Sequence, residues 1–356
     1  MDYLLQQPAP RRPGSALAIV LFALIAVAGL YYVKWSPYYH RAFVAANTHS
    51  IGHSILTGTA AVPPTASWHA ALDYAQAYGK AIWQALVLGL LLGSAVQTLL
   101  PAHWVARLLG GAGLRSVAAG GLLALPGMMC TCCAAPVVVG LRERQASPGA
   151  AAAFWLGNSV LNPATLVFMG FVLGWHWTAL RLALGVLLVF GGGWLINQQA
   201  SPAQRSLARE QFAAISAASQ EGNPFGRWLK LLARMTLRLV PEYIVLVLLL
   251  GAARTWLFPH VGPEVDNAVG WIVAFAIAGT LFVIPTAGEV PIVQAMLSFG
   301  VGVGPAAALL MTLPPISVPS LVMTARAFGS RVVAMLVLMV IAVGVVGGLA
   351  AVALHF

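Results

Sequence analysis

The stretch GMMCTCCAAPVVVGLRERQ, Gly127 to Gln145, holds all three cysteines of the chain: Cys130, Cys132 and Cys133. Thiolates are soft ligands that suit Cu(I) and other thiophilic centres. Two thiols at i and i+2 diverge on a regular helix but can converge on an irregular turn. Met128 and Met129 place two soft thioethers immediately upstream. Cysteine also packs well as a small apolar residue, but gathering every thiol at one Pro- and Gly-broken point favours substrate contact. Cys130, Cys132 and Cys133 are therefore candidate metal ligands and, with Thr131, candidate substrate contacts. A disulfide between Cys132 and Cys133 would need unusual local geometry. A membrane thiol–disulfide enzyme would be expected to carry C-x-x-C at the surface, whereas the pattern here is C-x-C-C.

Other polar groups fall at similar depth in apolar runs. Asn158 and Asn162 lie four apart on one helix face, ahead of Pro163. They either hydrogen-bond between helices or contact substrate. Thr286 occupies the position of Thr131 in a second, similar stretch, and Glu289 follows it in IPTAGEVP. An ionisable group within a membrane segment is a functional-site hypothesis by default. No basic residue is placed at matching depth, so Glu289 reads as the proton-coupling group of an antiport cycle. Binding of a soft cation at thiols releases protons, which such a carboxyl would receive. His49 and His53 are also four apart, but solvated histidines are the plainer reading of that pair.

These groups need a scaffold, and composition defines its solvent. Apolar residues make up 60% of the chain and charged residues 8%, against about 25% charged in soluble domains. Long apolar runs, each able to cross a bilayer as helix, indicate an all-α polytopic membrane protein. A barrel would instead show short alternating segments. The net charge of +10 fits positively charged cytoplasmic loops better than nucleic-acid binding, since no basic patch is interleaved with aromatics. No nucleotide-binding motif occurs. A permease rather than an enzyme is expected, with no cofactor. Its partners would be a small-molecule or metalloid substrate and membrane lipid, with homo-oligomer formation left open.

The halves of the chain repeat. LLLGSAVQTLLP (Leu90–Pro101) matches LLLGAARTWLFP (Leu248–Pro259), and CTCCAAPVVVGL (Cys130–Leu141) matches PTAGEVPIVQAM (Pro285–Met296). GAAAAFW (Gly149–Trp155) aligns with GPAAALL (Gly304–Leu310). The expected organisation is an N-terminal transmembrane helix over 1–36, an external segment over 37–78, a first repeat over 79–196, a cytoplasmic linker over 197–236 and a second repeat over 237–356. The orientation of the halves turns on Val117–Leu141. Helical Ser116–Met129 would rise about 21 Å, too short to cross, and Pro126, Gly127 and Pro136 disfavour a continuous helix. A re-entrant or broken hairpin in each half makes the repeats inverted. That arrangement collects most Lys and Arg residues on one side, as the positive-inside rule asks, with the N-terminus cytoplasmic in the inner membrane.

The cysteine tip C-T-C-x-x-x-P (Cys130–Pro136), followed by LRERQASPGAAAAFWLGNSVLNP (Leu141–Pro163), resembles the predicted-permease family that includes YraQ-like proteins and ArsP-like organoarsenical effluxers. PTAGEVPIVQAMLSFGVGVGPAAALL resembles that family's second repeat, and the similarity covers roughly residues 80–350. Cys133 departs from the pattern, adding a thiol where small residues are common. The external His-bearing segment is not matched to that pattern. The resemblance implies a secondary permease, exporting a small thiophilic solute such as a trivalent arsenical or soft metal. A permease for a sulfur-containing or other small anion is the alternative.

Overall fold

The computed structural model describes residues 13–55, 67–199, 224–258 and 262–356. Most of the linker, with Arg205 and Arg209, lies outside the described residues, as do Arg11 and Arg12. The described residues are helical, with five stretches long and apolar enough to cross a membrane: Ile19–Thr48, Trp68–Thr98, Trp175–Gln199, Phe225–Arg254 and Ser330–Ala353.

The first stretch continues past residue 36. Helix α1 (Pro13–Leu30) passes through a π-helical turn, Tyr31–Trp35, into α2 (Ser36–Thr48). Next come α3 (Trp68–Thr98), the short α4 (Ala102–Leu109), α5 (Leu114–Ala124) and α6 (Thr131–Glu143). A broken crossing follows in α7 (Pro148–Val160) and α8 (Pro163–Val172). Then α9 (Trp175–Val186) runs through a π turn at Leu187–Gly192 into α10 (Gly193–Gln199). The second half holds α11 (Pro224–Leu257), α12 (Val269–Leu281), α13 (Glu289–Ser298), α14 (Val303–Thr312), α15 (Val318–Phe328) and α16 (Ser330–Ala353).

The breaks are written as caps. Ser147 accepts from Ala150 N with Pro148 opening α7, and Asn162 accepts from Ala164 N and Thr165 N with Pro163 opening α8. Ser317 and Ser320 form a capping box at the start of α15. Such caps satisfy amide donors that hydrocarbon cannot.

Helices α5 and α6 form a hairpin that opens where α3 ends. Ser147 N donates to Leu109 O at 2.7 Å, and Arg144 donates to Gln97 O. Asn197, at the end of α10, accepts from Gly149 N and donates to Gly111 O. Helix α11 runs antiparallel to α3, since Trp228 Nε1 donates to Ser94 Oγ and Arg254 to Ala70 O. Helices α12 and α13 open where α11 ends: Gly302 N donates to Val265 O, also at 2.7 Å, and Gly304 N to Asn267 Oδ1. The two hairpins thus enter the bundle from opposite ends and meet inside it. Close approach of α6 to α3 depends on Gly89 and Gly93, where an added Cβ would lie 2.1 Å from Cys133 O and 2.5 Å from Pro136 C.

Candidate functional site

Each hairpin turns without completing a helix, so backbone groups there need partners that lipid does not supply. In the first tip, Trp35 Nε1 donates to Pro126 O at 2.8 Å and Trp155 Nε1 to Thr131 O at 2.9 Å. Met129 N donates to Asn158 Oδ1. In the second, Tyr74 OH donates to Val283 O and Tyr78 OH reaches Ile284 O, while Tyr243 OH donates to Tyr78 OH at 2.7 Å. Non-glycine residues with positive φ mark both turns, Met128 at 48° and Ala287 at 66°. That conformation costs about 1–3 kcal/mol and persists only where surrounding contacts enforce it.

Between the tips lies a narrow cleft. Met129, Cys130 and Thr131 line it from the first tip, and Pro285, Thr286, Ala287 and Glu289 from the second. The helix breaks contribute Ser159, Thr165 and Pro314. Cys130, Thr131, Thr286 and Glu289 are therefore brought together. Asn158 and Asn162 are fully buried beside the cleft rather than lining it: Asn158 holds the first tip and Asn162 caps α8. Asn162 Nδ2 has no hydrogen-bond partner.

The thiols do not converge at a single point. Cys130 is the N-cap of α6, so Cys133, one helical turn on, faces it with the sulfurs 3.0 Å apart. Cys132 points the other way, toward Ser317 Oγ at 3.6 Å and the Tyr243 hydroxyl. The regular start of α6 thus pairs i with i+3, not i with i+2. All three are buried and unbridged, and among the described residues no cluster of three or more His, Cys, Asp or Glu side chains is arranged as a metal site. His49 is exposed, with Nδ1 2.7 Å from Phe171 O.

Glu289 does have a basic partner, contrary to the sequence expectation. Arg181 Nη1 lies 2.9 Å from Glu289 Oε1, and both side chains are almost fully buried. The same guanidinium donates to Val160 O, Ser159 O and Leu310 O, carbonyls freed at the breaks after α7 and within α14. Arg181 sits in the apolar run of α9, where sequence alone offered no reason to bring it to the second tip.

A second missed residue is Lys34, in the π turn. It is 3% exposed, with Nζ 3.1 Å from Tyr38 OH and 3.2 Å from Thr286 Oγ1. It also lies close enough to Cys130 and Cys133 to interact electrostatically with their sulfurs. The i, i+4 tyrosines Tyr74 and Tyr78 were visible in the sequence, but nothing there directed them to the second tip.

Residues 67–352 match the family described as "Predicted permease". The chain belongs to that permease family. It is also 52% identical to UPF0718 protein YraQ of Escherichia coli (strain K12) over 331 residues, covering 93% of this chain and 94% of the relative. No solved structure matches it significantly. Family membership and the apolar helices make this a multi-pass membrane permease.

Proposed function

We propose that the permease is a secondary transporter built from two inverted repeats, with its substrate held between the hairpin tips. The observation that carries this reading is the cleft itself, lined by both tips and by both helix breaks. Discontinuous helices that meet near the midplane are the usual setting of a transporter's binding site. The antiparallel α3 and α11, with a hairpin opening at the end of each, support inversion of the halves. On this reading the linker is cytoplasmic, the protein resides in the inner membrane and its N-terminus is cytoplasmic.

The first case for the substrate is a small thiophilic solute, such as a trivalent arsenical or soft metal, that is exported. Cys130 supplies the soft contact and Cys133, 3.0 Å away, stands behind it. A sulfur-containing anion is the second case, favoured by the buried ammonium of Lys34. Glu289 anchors the second tip through Arg181 rather than acting as a free proton carrier.

Uptake into everted vesicles tests the proposal. Accumulation of a trivalent methylarsenical or a sulfur anion that depends on Cys130 is expected. Transport of neither class, or full transport by Cys130→Ser, contradicts it. Cysteines introduced at Ser216 and Gly262, in a background lacking the native thiols, should label from opposite faces; same-side labelling rules out inversion.

A further inference from the structure

The N-terminal helix reaches both tips through consecutive residues of one π turn. Trp35 holds Pro126 O of the first tip, and Lys34 holds Thr286 of the second. π-helical turns are rare and often mark functional positions. Here the turn carries Lys34 inward while its neighbours Tyr31 and Tyr32 remain exposed.

No carboxylate among the described residues cancels the charge of Lys34. None lies within salt-bridge distance of it, and its hydrogen-bond partners are the neutral hydroxyls of Tyr38 and Thr286. The carboxylate of the cleft, Glu289, is already neutralised by Arg181. Removing an ammonium from water without a counter-charge is costly. Helices α6 and α13 also begin at the two tips, so their positive dipole ends face the same space.

We infer that Lys34 is a substrate-binding residue and that the permeant is a small anion with one soft sulfur and one oxygen-bearing end. This rests on the tip-to-tip cleft being the permeation site. Lys34 and the Thr286 hydroxyl face the oxygens, while Cys130 donates its S–H to the soft end. The soft end accounts for the thiols and the charged end for the ammonium, a combination that neither sulfate nor a neutral arsenical offers.

The test uses the full chain in liposomes, with thiosulfate, sulfate and neutral methylarsenous acid as probes. Wild type should take up thiosulfate in preference to the other two. Lys34→Met should lower the preference for thiosulfate over methylarsenous acid by about tenfold or more, as expected for loss of a hydrogen bond from a charged group. Lys34→Arg should retain most of it. An unchanged preference in Lys34→Met overturns the inference. So does uptake of methylarsenous acid alone by wild type, which leaves the permease reading standing. Transport of none of the three by wild type overturns that reading as well. If Lys34→Met fails to fold, wild type alone decides: thiosulfate uptake should respond to an imposed membrane potential as movement of negative charge does, and indifference to the potential counts against the inference.

Discussion

The two hairpin tips share a backbone plan and differ in what completes it. Each has a non-glycine residue at positive φ, Met128 or Ala287, and each hairpin closes with a 2.7 Å backbone bond, from Ser147 to Leu109 or from Gly302 to Val265. The first tip is completed by neutral groups: two tryptophan N–H donors, the amide of Asn158 and a thiol pair. Tyrosine hydroxyls, a buried ion pair and Lys34 complete the second. The two tips thus share one backbone need, that unpaired groups be satisfied away from water, and meet it by different means. One tip is soft and the other charged.

That contrast can be broken from the charged side first. Arg181→Met leaves Glu289 buried without its partner and removes donors from the carbonyls of Ser159, Val160 and Leu310. A loss of about 3–5 kcal/mol is expected, read as a large fall in thermal stability in detergent. The Arg181→Met, Glu289→Gln double variant should recover part of it, and an additive double variant would deny the pairing. On the soft side, Gly89→Ala drives a Cβ into Cys133 O and should cost about 1–3 kcal/mol through displacement of α6, measured in the same way. Cys130→Ser should reduce transport more than Cys132→Ser, because only the former thiol lines the cleft. Equal effects would place the soft contact elsewhere. The smallest effect belongs to Tyr78→Phe, which removes a hydroxyl shared by Tyr243 and Ile284 O. It should cost about 1 kcal/mol in stability.

Much of the first tip was legible in the sequence. Pro126, Gly127 and Pro136 announce a break, the thiols mark it, and Ser147–Pro148 and Asn162–Pro163 are local cap signals. All of these act within a few residues of one another. The charged partners were not legible, because their pairing is long-range. Arg181 is one cation in an apolar run, and its approach to Glu289 follows from packing of α9 against the breaks. Lys34 falls near the end of the expected N-terminal helix over 1–36, with no local partner in the sequence. Only the π turn, which shifts the helix face, aims it at Thr286. The Cys130–Cys133 pairing has a local cause: the tip becomes regular helix at Thr131, one residue after Cys130, so the i and i+2 thiols diverge.

On the proposed reading both tips bound one substrate site. Mass-spectrometric mapping of N-ethylmaleimide on Cys130, with and without permeant, tests it most directly when repeated in Thr286→Trp, where the second tip fills the cleft. The account predicts that permeant slows labelling of Cys130 in wild type and has no effect in Thr286→Trp. Equal labelling of Cys130 with and without a transported permeant would contradict it.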